Sequence, residues 1–257
     1  MFKTILYRQL LWCTFALTLL IFALGVSWQL SKSANFFYGV WYQTLEINDV
    51  IKRNVPKNTQ GKREFPQHDV ALHHQKFADI VFAIHQHGEG LSDISYVNNQ
   101  GFKNTLLTKS EVRHLQDVAN LLDNVSRFWW ANVVVLVLFI FLYGRKSTLQ
   151  LVYKQQKLLD TSVLKLPNVK QKLLSLLVLI CVVVVAFGVW GFTDIFYYLH
   201  TVVFPEDHQW FFYYKDSLMA TLMKAPDIFA AIATQLILVA IVVAGGLDAI
   251  VSRVQRR

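Results

Sequence analysis

Four long runs of apolar residues dominate the hydrophobic pattern of this chain of 257 residues. They cover residues 9–30, 128–144, 173–193 and 228–247. The hydrocarbon core of a bilayer is about 30 Å thick, so a helix rising about 1.5 Å per residue needs roughly 20 residues to cross it. The second run has only 17 uncharged residues, but it has aromatic residues near both ends, as expected at membrane interfaces. The pattern predicts an all-α integral membrane protein with four transmembrane helices.

The first run can also be interpreted as a secretory signal peptide. Its apolar stretch is longer than the roughly 7–15 residues typical of such peptides, and no clear Ala-x-Ala cleavage site follows it. We expect it to be retained as a helix, and cleavage is the alternative.

Lysine and arginine are distributed unevenly among the segments outside the runs. The amino-terminal tail, residues 145–172 and the carboxyl-terminal tail together hold twelve basic and two acidic residues. The other two segments hold thirteen basic and fifteen acidic residues, so the net charge of +8 comes from the first group alone. Because basic residues concentrate in cytoplasmic loops, we expect both termini to be cytoplasmic. We attribute the basic charge to topology and to contact with anionic lipid, not to nucleic-acid binding.

This topology divides the chain into seven segments. Four of them contain the predicted spans: 1–30 with the amino-terminal tail, 128–144, 173–193, and 228–257 with the basic carboxyl-terminal tail. Between them lie a mostly helical extracytoplasmic domain over 31–127, a basic cytoplasmic loop over 145–172 and an aromatic extracytoplasmic loop over 194–227.

Two helices are predicted to begin within the extracytoplasmic domain. Apolar periodicity favours a helix over 70–87, ended by the sequence Gly-Glu-Gly, and residues 96–99 are expected to form a loop. Thr108 and Glu111 form a capping-box signature, in which each side chain accepts the backbone N–H of the other residue. No glycine or proline occurs over 103–143, so the second helix is predicted to continue into the second span.

All eight histidines lie in the two predicted extracytoplasmic segments, within 68–114 and 200–208. Histidine is the side chain best suited to proton transfer near neutral pH. Glu111 precedes His114 by three residues and Asp117 follows it by three, so both carboxylates share its helical face. Such a carboxylate can fix the tautomer of the imidazole and suit a general base. The same spacing is also common on exposed helices with ordinary charge pairs.

His200 lies in an aromatic segment, residues 192–214. Aromatic surfaces prefer the membrane interface and suit a lipid substrate. By position alone, Tyr197, Tyr198 and Trp210 are candidates to bind such a lipid. The alternative is a plain aromatic anchor, in which His200 only caps a helix.

The other histidines and the two cysteines do not predict metal or thiol chemistry. His73 and His74 are adjacent, so both cannot bind one ion from a regular helix, and no cysteine joins them. We expect no metal site and a solvated helix face for the histidines within 68–87. Cys13 and Cys181 lie in apolar runs, where a thiolate is disfavoured, so we expect neither a disulfide framework nor a cysteine nucleophile.

Two sequence motifs resemble those of a known membrane family. The first is HLQDV at 114–118, which is similar to a His-Met-x-Asp-Val motif with Leu115 in place of methionine. The second is LHTVVF at 199–204, in which Leu199 and Val203 stand where aromatic residues are typical and Phe204 is kept. With the four spans and one large outer loop, these motifs resemble the family of bacterial lipoprotein intramolecular transacylases over roughly residues 100–250.

The resemblance implies an enzyme of the bacterial cytoplasmic (inner) membrane with an extracytoplasmic active face. Such an enzyme moves an acyl chain from the sn-2 ester of a diacylglyceryl lipoprotein to the α-amine of its amino-terminal cysteine, which gives the lyso form. The motifs imply His114 and His200 as the catalytic pair, with Asp117 and Glu111 as orienting or supporting residues. The implied partners are the membrane and a lipidated lipoprotein or other lipid, without a cofactor, a metal or nucleic acid.

A different functional class stays open, namely a non-enzymatic membrane protein whose histidine-rich stretch senses a ligand, a proton or a metal. Transport is a weaker third hypothesis, because no predicted span has an interior charge of the kind that marks an ion path. The enzyme hypothesis requires His114 and His200 to meet. In a straight helix normal to the membrane, His114 would stand about 20 Å beyond Arg127, so this helix would have to tilt or bend.

Overall fold

The computed structural model of the protein describes residues 2–144 and 169–256, which are mostly helical. The order of the elements is α1 (Phe2–Ser33), α2 (Tyr38–Thr44), α3 (Ile47–Asn54), α4 (Val70–Ile84), β1 (Ser95–Val97), β2 (Lys103–Thr105), α5 (Lys109–Gly144), α6 (Val169–Trp190), α7 (Phe192–Val203), α8 (Leu218–Met223) and α9 (Asp227–Arg256). These elements divide into two compact units. The first holds α1 up to Gln29, α5 from Arg127, α6 up to Val189 and α9 from Leu236, and the second holds Leu30–Ser126 and Trp190–Gln235.

The first unit is built from long apolar helices. Among the described residues, three helical stretches are long and apolar enough to cross a membrane, namely Leu10–Ser33, Lys109–Leu142 and Asp227–Arg253. In α5 the charged residues end at Arg127, and the uncharged part begins at Phe128. The predicted third apolar run forms a helix, α6. Of the predicted basic loop, residues 145–168 lie outside the described residues, and residues 169–172 belong to the start of α6 instead.

A small apolar core joins α1, α5 and α9 of the first unit, formed by Phe15, Leu19, Leu136 and Val251. Two polar side chains beside it hydrogen-bond to helix backbone. The Asn132 amide donates to the carbonyl of Thr18 over 2.9 Å, and the Trp129 indole N–H donates to the carbonyl of Phe22 over 3.2 Å. In apolar surroundings an unpaired polar group costs free energy, so these bonds stabilise the contact between α1 and α5.

The second unit packs around α4. The Asp69 carboxylate caps this helix by accepting the N–H of Leu72 over 2.9 Å. The helix predicted over 70–87 is confirmed, although it ends three residues earlier, at Ile84. Its predicted apolar face is buried, and Phe77 stacks on Tyr38 with the ring centroids 3.9 Å apart.

The loop predicted over 96–99 is wrong in part, because its first two residues belong to a β-hairpin. Strand β1 pairs antiparallel with β2, and Tyr96 lies opposite Asn104. The Asn98 side-chain oxygen accepts the N–H groups of Gln100 and Phe102, which fixes the turn. Buried Tyr96 packs edge-on against Phe65 at 4.8 Å and anchors the hairpin to the unit. The protein is therefore mostly helical with one small sheet.

The capping-box prediction is confirmed at the start of α5. The Glu111 carboxylate accepts the N–H of Thr108 over 2.5 Å, and the Thr108 hydroxyl accepts the N–H of Glu111 over 3.3 Å. Helix α5 then continues without interruption to Gly144, as the absence of glycine and proline predicts. After α6, in contrast, the helix is interrupted at Gly191, whose φ of 76° favours glycine. His200 therefore lies on a separate helix, α7.

Candidate functional site

The structure brings the two predicted histidines together within the second unit. His114 lies in the second turn of α5 and His200 near the end of α7, and their ring centroids are 6.0 Å apart. His114 is only 8% exposed, whereas His200 is partly buried. The proximity that the enzyme hypothesis requires is therefore present, although 86 positions separate the two residues in the chain.

Both imidazoles face a cavity of about 390 Å³ whose lining is almost wholly apolar. Helix α5 contributes Leu115, Val118 and Leu121, and α8 contributes Met219 and Met223. The remaining wall comes from α7, from the segment that follows it, from Ala225 and Pro226 just before α9, and from single residues of α4 and α9. An apolar space of this kind with a few convergent polar groups is the usual form of a small-molecule binding site.

Aromatic rings surround each imidazole at short range. Phe204 and Phe212 lie 4.9 Å and 5.9 Å from the ring of His114. Phe196 and Trp210 lie 4.1 Å and 5.2 Å from the ring of His200. These rings displace water from the histidines, which weakens solvation of any charge that forms there.

Burial therefore favours the neutral form of both histidines, which lie outside the uncharged part of α5 and outside α6. Desolvation, reinforced by the neighbouring His200, lowers the pKa of His114 to about 4, and the charge of Asp117 only partly opposes this. Desolvation also lowers the pKa of His200, against the opposing effect of its bond to the Phe196 carbonyl. At neutral pH both imidazoles are uncharged, so each can act as an acceptor or a donor of one proton.

The hydrogen bonds of the two rings differ. His200 Nδ1 lies 2.7 Å from the carbonyl oxygen of Phe196, which can only accept, so Nδ1 must carry the proton. The lone pair of neutral His200 is consequently on Nε2. His114 has a buried Nδ1 for which no described residue provides a hydrogen-bond partner.

Asp117 does not orient His114 through a hydrogen bond, contrary to the prediction from spacing. Its carboxylate instead accepts a hydrogen bond from Nδ1 of His208 over 2.6 Å. The reason is tertiary, because the chain after α7 returns to α5 and brings a donor to the carboxylate. Asp117 acts on His114 only through its charge.

Glu111 is also directed away from His114. It is fully buried, and beyond its capping bond to Thr108 it accepts a hydrogen bond from the hydroxyl of Ser217. Ser217 in turn caps α8 by accepting the N–H of Ala220 over 2.8 Å. Glu111 therefore joins the first turn of α5 to the first turn of α8, and its support of the site is indirect.

Two of the three predicted aromatic residues line the cavity. Tyr197 and Trp210 do so, with their rings 5.8 Å apart, whereas Tyr198 is 68% exposed and does not. The second motif contains Phe204, but nothing in the sequence placed Phe204 or Phe212 beside His114. The contact between His208 and Asp117 was also missed, because no periodicity or spacing relates residues 91 positions apart.

The histidine-rich stretch is solvated only in part: His68 and His87 are exposed, as predicted, whereas His74 and His85 are partly buried. His73 is fully buried, where Tyr42 Oη lies 2.8 Å from its Nδ1 and the Pro66 carbonyl 2.9 Å from its Nε2. His85 Nδ1 donates to the carbonyl of Val81 over 2.7 Å, and His87 Nδ1 pairs with Asp123 over 2.8 Å. Over residues 2–144 and 169–256, no three histidine, cysteine or acidic side chains are grouped to hold a metal ion.

The lowered pKa values of His114 and His200 can be tested by chemical modification. Diethyl pyrocarbonate reacts with neutral imidazole, so its rate falls with the neutral fraction as the pH decreases. Because burial lowers both pKa values, we expect each rate to fall to half below pH 6.5, the ordinary value for histidine. Quantitative mass spectrometry of the modified peptides, with N-acetylhistidine as the reference in the same tube, measures this midpoint. A midpoint at or above that of the reference would contradict the desolvated site.

Comparison with known proteins identifies the family. No curated protein and no solved structure matches the chain. The sequence profile of the lipoprotein intramolecular transacylase Lit family, in contrast, matches residues 13–225 and so covers most of the sequence, including both motif histidines. The apolar helices agree with a membrane-associated family of this kind. The protein belongs to the lipoprotein intramolecular transacylase Lit family.

Proposed function

We propose that the protein is a membrane acyltransferase with lipoprotein substrates. It moves the acyl chain from the sn-2 ester of a diacylglyceryl lipoprotein to the α-amine of the same amino-terminal cysteine, and the product is the lyso form. The observation that carries this proposal is the pairing of His114 with His200, 6.0 Å apart at an apolar cavity, in a chain of this family.

The reaction needs no co-reactant. The amine nitrogen attacks the ester carbonyl, a C–N bond forms, and the C–O bond to the glycerol oxygen breaks. One proton leaves the amine and one proton arrives at the released oxygen, so atoms and charges balance. Donor and acceptor belong to one molecule, and an enzyme that holds them in a near-attack geometry converts proximity into rate.

We assign the role of general base to His200. Its Nδ1 proton is held by the Phe196 carbonyl, so Nε2 has the lone pair that takes the proton of the amine. The imidazolium formed in this way then delivers that proton to the departing glycerol oxygen. The carbonyl of Phe196 stabilises the transient charge, because it accepts the Nδ1–H of the charged ring as well.

We assign to His114 the stabilisation of the tetrahedral intermediate. With no acceptor for its buried Nδ1 among the described residues, the favoured tautomer carries its proton on Nε2. That N–H can donate to the oxyanion as negative charge develops on the former carbonyl oxygen. The aromatic rings over His114 keep water out, which strengthens this hydrogen bond and disfavours hydrolysis of the ester. Tyr197 and Trp210 hold the acyl chain.

The same proposal includes the membrane topology. Four helices span the bacterial cytoplasmic membrane over about 9–30, 128–144, 173–193 and 228–247, and both termini are cytoplasmic. The site faces the extracytoplasmic side within the segments 31–127 and 194–227. The asymmetry of basic residues, the three apolar helices and the helix α6 support this arrangement.

The experiment that tests the function is mass spectrometry of a lipoprotein's amino-terminal peptide. Cells that lack any such activity are given the intact chain or an empty vector. We expect an N-acyl, S-monoacylglyceryl cysteine only with the chain present, at the expense of the diacylglyceryl form. An unchanged lipid form at confirmed expression would contradict the proposal.

A further inference from the structure

A second histidine–carboxylate contact lies beside the catalytic pair, between α5 and the segment that connects α7 to α8. His208 Nδ1 donates to the Asp117 carboxylate over 2.6 Å, and both side chains are partly buried, at 24% and 17% exposure. The other charged group that faces His208 is Asp207, whose carboxylate lies 4.0 Å from Nε2. Asp117 lies one turn after His114 on the same helix.

The segment 204–212, which contains His208, supplies most of the aromatic cover of the site. Phe204 and Phe212 flank the His114 ring, and Trp210 flanks the His200 ring. The placement of these rings decides how well water is excluded from both imidazoles. Something must therefore hold this segment, which is without regular secondary structure after Val203, against α5.

The hydrogen bonds of segment 204–212 point to His208 as that anchor. The backbone N–H of Phe204 donates to His200 on α7, the N–H of His208 donates to Pro205, and the Gln209 amide donates to Phe211. These bonds stay within the segment or join it to the preceding helix. Across the described residues, the bond from His208 to Asp117 is the one hydrogen bond that ties the segment to α5.

We propose that His208 is a positioning residue, whose bond to Asp117 holds segment 204–212 over His114 and His200 and keeps both imidazoles dry. The kinetic consequence rests on the proposed function, but the consequence for water access does not. His208 is not placed on the reacting atoms, and it acts through the aromatic rings that its segment holds.

The chain offers a matched control on the same helix. His87 Nδ1 pairs with the carboxylate of Asp123 over 2.8 Å, so α5 has two histidine–aspartate contacts of similar geometry. The His87 side chain is 72% exposed and does not line the cavity. His87→Ala thus removes the same chemical contact without releasing any aromatic ring from the site.

The first test measures access, independently of any activity. The full-length chain in membranes is treated with diethyl pyrocarbonate, and modification of His114 and His200 is followed by mass spectrometry. We expect His114 and His200 to be modified several-fold faster in His208→Ala than in the wild type. In His87→Ala both should be modified at the wild-type rate. His208→Asn should restore protection, because the asparagine amide nitrogen lies near the position of Nδ1 and donates to Asp117. Equal protection in His208→Ala and the wild type would overturn the proposal.

Buried His73 reports whether the variants are folded. In each of them it should stay as protected as in the wild type. If His208→Ala exposes His73 as well, the bond stabilises the whole unit and a specific positioning role is refuted.

The second test uses the rate of lyso-form production as a function of pH. Facing His114 are His200 from α7 and Asp117 on its own helix, and the aromatic cover adds the desolvation. Loss of that cover should lower the rate in His208→Ala and move the acidic limb toward pH 6.5, the value for solvated histidine. A lower rate with an unmoved limb would refute the positioning role. If the wild-type chain produces no lyso form, the proposed function fails, while the modification experiment still decides the role of His208.

Discussion

Replacing either His114 or His200 by alanine should lower lyso-form production by roughly 10²–10⁴-fold, the usual contribution of a positioned proton-transfer group. His200→Ala removes the Nε2 lone pair that takes the proton of the amine. His114→Ala removes the donor to the tetrahedral intermediate, for which a loss of about 10²–10³-fold is typical. The measurement is the initial rate of conversion of a defined diacylglyceryl lipopeptide in membranes containing equal amounts of each variant.

Glutamine variants separate the two roles. The Gln Nε2 amide can donate near the position of the His Nε2 but cannot accept a proton from an amine. His114→Gln should therefore retain more activity than His114→Ala, whereas His200→Gln should be as impaired as His200→Ala. His68→Ala is the control, because His68 is exposed and does not line the cavity. Better retention in His200→Gln than in His114→Gln would reverse the assignment, and full activity of both alanine variants would refute the pair.

Glu111→Ala should strongly destabilise the second unit while leaving the catalytic histidines intact. The substitution deprives the N–H of Thr108 and the hydroxyl of Ser217 of their acceptor. Both donors lie in or beside the buried contact between α5 and α8. The unsatisfied Ser217 hydroxyl costs about 1–3 kcal/mol, and the loss of the capping bond to the partly buried N–H of Thr108 adds about 1–2 kcal/mol. We therefore expect the free energy of unfolding to fall by about 2–5 kcal/mol.

A buried lysine adds to this loss. The Lys62 ammonium is 7% exposed and donates to the carbonyl of Leu106 over 2.6 Å. Burial lowers the pKa of Lys62 and the charge of Glu111 opposes that effect, so removing Glu111 makes the lysine harder to keep charged. Lys62 in the folded variant then binds its proton less tightly, so this part of the destabilisation should be present at neutral pH and decline at strongly alkaline pH, where Lys62 is neutral in both proteins.

Thermal unfolding in detergent measures this effect. The exposure of buried residues is followed as the temperature rises, and its midpoint is compared between variants. Asp123→Ala is the matched control, because it removes a carboxylate of the same helix that is partly exposed and pairs with the exposed His87. Its midpoint should change little, as for most partly exposed ion pairs. A Glu111→Ala midpoint equal to that of the control would show that the hydrogen bonds of Glu111 between α5 and α8 contribute no stability.

Local sequence signals predicted those parts of the fold that depend on neighbours in the chain. The capping box at Thr108, the uninterrupted α5 and the apolar face of α4 each follow from spacing and composition. The motifs also located His114 and His200. The fates of Asp117 and Glu111 did not follow, because each carboxylate binds a donor roughly 90–110 positions away, His208 or Ser217. A short spacing shows which face of a helix a side chain occupies, but not which distant segment reaches it first.

The burial of His73 shows a second limit of local reasoning. On a helical wheel it reads as polar and therefore solvated, yet Tyr42 and the Pro66 carbonyl satisfy both of its ring nitrogens in the core. Polarity predicts exposure only when no partner is available inside, and such partners are set by tertiary structure. In the same stretch His85 bonds to the Val81 carbonyl one turn back, and His87 pairs with Asp123 on α5.

In the proposed reaction, the apolar lining of the cavity should also select among lipids. Phospholipids surround the protein in any membrane and have the same sn-2 ester, so they are natural competitors. The cavity-lining residues, all in the described part of the chain, include no lysine or arginine, and their two imidazoles are neutral at pH 7. A phosphate head group would lose its hydration there without gaining a counter-charge, at a large cost in free energy. The diacylglyceryl thioether of a lipoprotein has no phosphate, so it meets no such barrier.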